Sequence, residues 1–186
     1  RRAELAAAIV ARAREVGVEV REGVGVRAAH DDGDEVGLDL DDGSVLRARH
    51  AIAADGMWSP MRKHLGTAEP GYLGEWHAFR QYFTDVTGPA AQHLCVSFEP
   101  EILPGYSWSF PLPDRGANLG FGVRREPGTR VQDMAALWPR LLERPALRQA
   151  LGPDARPEGP HRAWPIPASI DQTVLTGRRT LFVGDA

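Results

Sequence analysis

Residues 51–62 read Ala-Ile-Ala-Ala-Asp-Gly-Met-Trp-Ser-Pro-Met-Arg, and this stretch limits the fold more tightly than any other. Small apolar residues that stop at Asp-Gly and run into Ser-Pro predict a short strand covered on both faces, followed by a turn. Parallel strands of that kind belong to α/β sheets, where ligands sit off the carboxyl ends of the strands. Asp55, Gly56, Ser59 and Arg62 are thereby placed at a ligand-facing edge. A carboxylate there binds hydroxyls, a glycine admits close backbone approach, and an arginine can hold a phosphate. The last six residues, Leu181-Phe182-Val183-Gly184-Asp185-Ala186, follow the same pattern.

Ahead of this strand, Leu5, Ile9, Ala13 and Val16 fall on one helical face, and Gly17 is a C-terminal stop. Val18 to Val20 reads as a short strand. Three further strands, Val24 to Ala29, Val36 to Leu40 and Val45 to Ala48, are separated by Asp-Gly turns at Asp32-Gly33 and Asp42-Gly43. Asp-Gly between alternating runs is a strong hairpin signal and predicts an antiparallel meander. It leads directly into the strand before Asp55.

After Arg62 the character changes, and Glu69-Pro70-Gly71 reads as a linker. Trp76 to Phe83, Leu94 to Phe98, Tyr106 to Phe110 and Asn118 to Val123 are rich in aromatic and β-branched residues and predict a second, antiparallel lobe. Residues 132–150 predict helix with a break near Pro139 or Pro145. Residues 152–160 read as a Pro- and Gly-rich loop, and residues 175–179 turn into the final strand.

Composition narrows the class. The 186 residues are 42% hydrophobic and 25% charged, with a net charge of -3. That describes a globular chain and argues against a nucleic-acid binder, for which a basic excess is expected. The one cysteine, Cys95, cannot form an internal disulfide, and no metal-ligand spacing is present. Cys95 reads as a buried small hydrophobe. No G-x-S-x-G stands near any of the six scattered histidines, so no nucleophilic triad can be placed. The apolar run from Leu5 to Ala11 is too short to cross a bilayer. Cytoplasmic localisation follows as the expectation.

Ala54-Asp55-Gly56-x-x-Ser59-Pro60-x-Arg62, after a meander, resembles the Asp-Gly motif of the flavin hydroxylase fold, and Gly184-Asp185 resembles its later Gly-Asp motif. Arg2 matches the arginine before that family's second helix, although Ala6 stands where the family usually carries Asp. Pro104-Gly105-Tyr106-Ser107-Trp108-Ser109-Phe110-Pro111, followed by Gly120-Phe121-Gly122, resembles the substrate-lobe signature of the geranylgeranyl reductase branch. Arg80-Gln81-Tyr82 resembles the strand that enters that lobe.

The resemblance implies an α/β fold: a partial FAD/NAD(P)-binding Rossmann-like domain with a β-meander crossover, plus an antiparallel-sheet α+β substrate lobe. Residues 1–68 and 175–186 would form the first and residues 69–174 the second. The G-x-G-x-x-G segment that holds the FAD pyrophosphate is not in the sequence, so the chain is expected to be an internal fragment, inactive and weakly FAD-binding by itself. The implied cofactor is FAD, with NAD(P)H as electron donor. Its expected contacts are Arg2, Val26, Asp55, Gly56, Gly184 and Asp185, with Asp185 on the ribityl hydroxyls and Val26 near the adenine. Each has a plainer reading: a solvated charge for Arg2, core packing for Val26, an ordinary turn for Asp55-Gly56 and for Gly184-Asp185.

Alternation puts Tyr106, Trp108 and Phe110 on one strand face, where they could wall an apolar cavity or simply be sheet core. With Gly120 and Gly122 they are the expected substrate contacts. Arg80 could equally be a salt-bridge partner. Tyr106 is a candidate proton donor by position only, and no catalytic residue is assigned. The implied activity is reduction of isoprenoid double bonds; the alternatives are hydroxylation of an aromatic ring and a non-catalytic fragment. The expected partner is a small apolar or aromatic substrate, with peripheral membrane contact and no protein partner indicated.

Overall fold

The computed structural model describes residues 2–186. These form two compact units. One runs to Pro70 and resumes at Gln172–Ala186; the other is Gly71–Asp171.

The first unit begins with helix α1, Arg2–Glu15. It closes with two bonds characteristic of a glycine stop: the Gly17 amide donates to the Arg14 carbonyl and the Val18 amide to the Ala13 carbonyl, both at 3.0 Å. Gly17 adopts a φ of 88°, a conformation that favours glycine. The apolar stripe of α1 does not act as a core face. Leu5, Ile9 and Val16 are 60–63% exposed, because the described residues offer this helix no surface to pack on. Residues 18–20 form no strand for a related reason: no neighbouring strand pairs with them.

Strands β1 (Val26–Asp31), β2 (Val36–Leu40) and β3 (Val45–Ala48) form the antiparallel meander. Its turns are built by aspartate side chains. Asp32 Oδ1 accepts from the amides of Asp34 and Glu35, and Asp42 Oδ1 from the amide and hydroxyl of Ser44. These bonds favour the ionised carboxylates and hold both below the usual aspartate range. Strand β4 (Ala51–Ala53) leads to the short helix α2 (Pro60–His64) and pairs in parallel with the final strand, β10 (Thr180–Phe182). Ala29, Ala53, Met61 and Phe182 form a small core. Asp31, at the end of β1, fixes the returning chain by accepting from the Arg179 amide at 2.8 Å and the Thr180 hydroxyl at 3.2 Å.

The second unit is a five-stranded antiparallel sheet of β5 (Trp76–Thr84), β6 (Cys95–Ser97), β7 (Tyr106–Leu112), β8 (Gly116–Arg124) and β9 (Arg156–Ile166), in the order β6-β7-β8-β5-β9. Strand β10 (Thr180–Phe182) then belongs to the first unit. One face of the five-stranded sheet packs on α3 (Val131–Ala135), α4 (Leu137–Leu142) and α5 (Pro145–Leu151). Phe79, Leu119 and Phe121 meet Met134, Trp138 and Leu147 there. Phe79 and Phe121 stack with centroids 5.0 Å apart, and the Trp138 indole N–H donates to Gln81 Oε1 at 2.8 Å. Full burial of each large ring contributes about 2–3 kcal/mol, so this interface dominates the unit's stability.

Two further expectations are corrected. The helical stretch is split into three; Pro145 opens α5, whereas Pro139 sits in the first turn of α4, where its missing N–H costs no bond. Residues 156–160 are strand, not loop. They lie on β9, an edge of the sheet, and an edge tolerates Pro157 and Pro160 because outward N–H groups have no ladder partner to lose. Cys95 is half-buried, its thiol 3.6 Å from the His93 carbonyl oxygen. Among the described residues, no helix is long and apolar enough to cross a membrane.

Candidate functional site

Strands β4 and β10 pair in parallel register, Thr180 with Ala51, Leu181 with Ile52 and Phe182 with Ala53. The Val183 amide continues the ladder by donating to the Ala53 carbonyl at 2.9 Å. Asp55 and Asp185 therefore leave the sheet at the same, carboxyl end. Each follows or precedes a glycine in the left-handed region: Gly56 at φ 80° and Gly184 at φ 67°. Space is not what demands glycine, since a Cβ at either position would meet nothing within 4 Å; the backbone conformation is.

The loop after Asp55 is fixed by short-range bonds. Ser59 caps α2, its hydroxyl accepting from the Arg62 amide at 3.1 Å. Asp55 Oδ2 accepts from the Met61 amide at 2.9 Å. Asp55 thus shapes its own loop while remaining exposed. Asp185 is also exposed.

Arg62 does something its sequence position does not reveal. Its guanidinium donates to the main-chain oxygens of Val174 at 2.7 Å and Ala186 at 3.0 Å. It also lies 4.1 Å above the Phe182 ring centroid. Burial lowers its pKa, opposed by the Asp55 charge. Arg62 is engaged in joining the two strand-end loops, and the phosphate-holding role suggested by its position is not supported by this geometry.

A cavity of about 430 Å³ opens beside the carboxyl end of β4, lined by Val26, Leu38, Ala53, Asp55, Pro60 and Met61 among others. Val26 and Asp55 are thus brought together. Gly56, Gly184 and Asp185 lie outside its lining, and Arg2 stands exposed at the start of α1.

In the second unit, Tyr106, Trp108 and Phe110 do share one face of β7, while Ser107 and Ser109 on the other face are 1% exposed against the helices. The rings form an open wall, not a closed tunnel: Tyr106 is 47% and Phe110 46% exposed. Trp108 stands opposite Gly120, and Tyr106 opposite Gly122. A Cβ on Gly120 would collide with the Trp108 indole and lie 2.5 Å from the Phe79 carbonyl oxygen, whereas at Gly122 it would make ordinary contact with the indole at 3.8 Å. Gly120 thus lets the indole lie flat across β8. Tyr106 meets Trp108 edge-on at 6.0 Å between centroids, and Phe98 extends the row at 6.1 Å from Tyr106. Phe98, expected as the last residue of a strand, lies just beyond β6 and was not expected to join the ring wall, because only the ladder and ring contacts bring it beside Tyr106. On the same face, Arg80 donates to the Tyr82 hydroxyl at 2.7 Å.

Residues 2–102 match the model of the FAD binding domain. Over 96% of its length the chain is 31% identical to digeranylgeranylglycerophospholipid reductase 1 of Methanopyrus kandleri, covering 48% of that protein. Over 60% of its length it is 32% identical to a menaquinone reductase of Mycobacterium tuberculosis, covering 29% of it. The chain spans about half the length, or less, of these relatives. Its fold is similar to a crystal structure of a geranylgeranyl bacteriochlorophyll reductase-like protein from Thermoplasma acidophilum, with a TM-score of 0.79 at 18% identity over 98% of this chain and 46% of that one. With more than half of its residues matched, the chain belongs to the FAD binding domain family.

Proposed function

We propose that the chain is part of an FAD-dependent oxidoreductase that reduces double bonds of an isoprenoid substrate. The observation that carries this reading is the parallel β4–β10 pair, which delivers Asp55 and Asp185 to one end of a sheet in a chain of the FAD binding domain family. The residues at that end suit a polyol. Asp185 is an exposed acceptor, Gly56 and Gly184 keep the backbone approachable, and Asp55 holds its loop in shape through the Met61 amide. Val26 borders the cavity on the side proposed for the adenine, and Arg2 is proposed near the nucleotide half. Bound FAD would supply a hydride, replenished by an external donor such as NAD(P)H.

The protein's own part in the chemistry is to hold and polarise an apolar chain. An isoprenoid has no hydrogen-bonding groups, so rings and aliphatic surface must position it. Tyr106, Trp108 and Phe110 offer such a wall, and their π faces favour positive charge developing on an alkene as it is protonated. A lipid substrate also implies peripheral contact with a membrane. The test uses the full-length protein under strict exclusion of oxygen. Reduction of a prenyl substrate should proceed, and Trp108→Ala should lower kcat/KM by roughly tenfold or more, the equivalent of one good apolar contact. Turnover that requires oxygen would instead identify a hydroxylase, and unchanged turnover in the variant would remove the ring wall from the mechanism.

A further inference from the structure

We infer that the ring wall of the second unit has a facing wall, Trp164 on β9, and that the small residues between the two, Ala78 and Gly122, set the depth of a trough and so select the cross-section of the chain it takes. The inference rests on the isoprenoid reading above and deepens it. In the ladder, Tyr106 on β7 stands opposite Gly122 on β8, Gly122 opposite Ala78 on β5, and Ala78 opposite Trp164 on β9. Directly opposite residues project from the same face of a sheet, so these four make one row on the face away from the helices. A ring stands at each end of the row, with only a single methyl group between them. With strands about 4.8 Å apart, the two rings rise about 14 Å from each other.

The face of an antiparallel sheet that points away from its core is ordinarily polar. This one carries the rings of β7, and Trp164 adds to them from the far edge while 53% exposed. Large apolar side chains gathered on one open face are the mark of a binding surface. The middle of the row is hollow: among the described residues, a Cβ on Gly122 would meet only the edge of the Trp108 indole, at 3.8 Å. At Gly120 the indole itself takes that space. The trough therefore runs along β8 and β5, closed by the indole at Gly120 and open over Gly122 and Ala78. Both floor strands are interior to the sheet, so their backbone groups are engaged in the ladders on either side. Neither floor residue has a polar side chain, and a polar ligand would find no partner there. A prenyl chain differs from a plain alkyl chain by its methyl branches, which need depth below the rim of the rings. A floor of glycine and alanine leaves that depth. A larger residue at position 78 would lift a branched chain off the backbone and disturb a narrower, unbranched one less.

The experiment measures binding of farnesol, its fully saturated form and dodecan-1-ol to full-length, FAD-loaded protein by isothermal titration calorimetry. The last two alcohols differ only in their methyl branches. Trp164→Ala should weaken farnesol binding about tenfold, the worth of one good apolar contact, and Trp164→Phe should recover most of it. Because Trp164 is more than half exposed, the urea midpoint and the flavin content of Trp164→Ala should stay at wild-type values, which separates a lost wall from a lost fold. Ala78→Val puts a strand-favouring residue on the floor. It should weaken the saturated branched alcohol roughly tenfold and dodecan-1-ol by less than about threefold. Gly122→Ala, a smaller filling, should act in the same direction and decides the point where the valine variant is less stable. Unchanged farnesol affinity in both Trp164→Ala and Ala78→Val, beside weakened binding in Trp108→Ala, overturns the facing wall and leaves the isoprenoid reading standing. Equal weakening of the branched and unbranched alcohols by the floor variants overturns the floor as a gauge. If the wild-type protein binds none of the prenyl alcohols, the isoprenoid reading itself fails.

Discussion

The Arg62 guanidinium lies 4.1 Å above the centroid of the Phe182 ring, so a side chain from the helix after the first strand-end loop covers a core residue of the strand that leads to the second. Its hydrogen bonds to the main-chain oxygens of Val174 and Ala186 complete the connection. Arg62→Ala should cost about 2–3 kcal/mol, from lost charge-assisted bonds and the cation–π contact. Arg62→Lys should recover only part, because an ammonium cannot fork to two oxygens while lying flat on a ring. Urea denaturation of the three proteins measures this; equal stability of wild type and alanine variant would mean that the contacts contribute nothing.

What could be seen in the sequence divides along the range of the interactions. The meander was legible because Asp32-Gly33 and Asp42-Gly43 make their turns with their own side chains, so β2 and β3 begin and end where local chemistry says. The Asp55 loop was legible for the same reason, its bonds to Met61 and Ser59's to Arg62 spanning only a few residues. The role of Arg62 was not, since its partners lie more than a hundred residues away. Val18 to Val20 has strand composition but no partner, and residues 156–160 have loop composition but an edge that accepts proline. Register across the second sheet sets Arg162 opposite Arg80, and pairing between residues so far apart in the chain leaves no local signal.

Gly120 and Gly122 offer a controlled comparison. A Cβ at Gly120 meets the Trp108 indole and the Phe79 carbonyl oxygen, and the carbonyl belongs to backbone that cannot readily yield. Gly120→Ala should therefore destabilise by about 1–3 kcal/mol, the usual cost of overpacking, and shift the tryptophan emission as the indole lifts. Gly122→Ala adds only ordinary contact with the indole and should change stability by less than about 1 kcal/mol. Thermal melts and emission spectra of the two variants check the pair; similar behaviour would show that the indole does not rest on Gly120.

Acid stability should fall in two stages. Burial, reinforced by the Arg125 charge, lowers the pKa of His77 below its ordinary 6.5. Its neutral form is the folded one, so its contribution is present above the unfolded value and is lost as pH falls through the lowered folded value. Burial alone would raise Glu75, but bonds from the Tyr72 hydroxyl at 2.7 Å, the Ala168 amide at 2.6 Å and Ser169 outweigh it and hold the carboxyl at about 2, against an ordinary 4.5. The folded state then binds fewer protons than the unfolded one, and stability falls as pH drops from about 4.5 towards about 2. Glu75→Gln should flatten that lower limb and leave the upper one unchanged. Denaturation midpoints measured across the range provide the check; an unaltered lower limb would mean that other carboxylates govern it.

Asp55 and Asp185 should separate folding from cofactor retention. Asp55 accepts from the Met61 amide at 2.9 Å, so Asp55→Ala removes a helix-start acceptor and should cost about 1 kcal/mol. Asp185 is exposed at the end of its strand, and Asp185→Ala should change stability by no more than about 0.5 kcal/mol. The proposed contact with the ribityl hydroxyls reverses the ranking for flavin. Asp185→Ala in the full-length protein should purify largely without FAD and regain it only at high added concentration. Asp55→Ala should retain more, in proportion to how well its loop survives, and Asp55→Asn, which keeps an acceptor for the Met61 amide, should retain nearly all. Absorbance of released flavin per protein gives the occupancy and urea midpoints give the stability. A fully yellow Asp185→Ala protein would sink the assignment of the second strand-end loop to the cofactor, whatever the fold of the remainder.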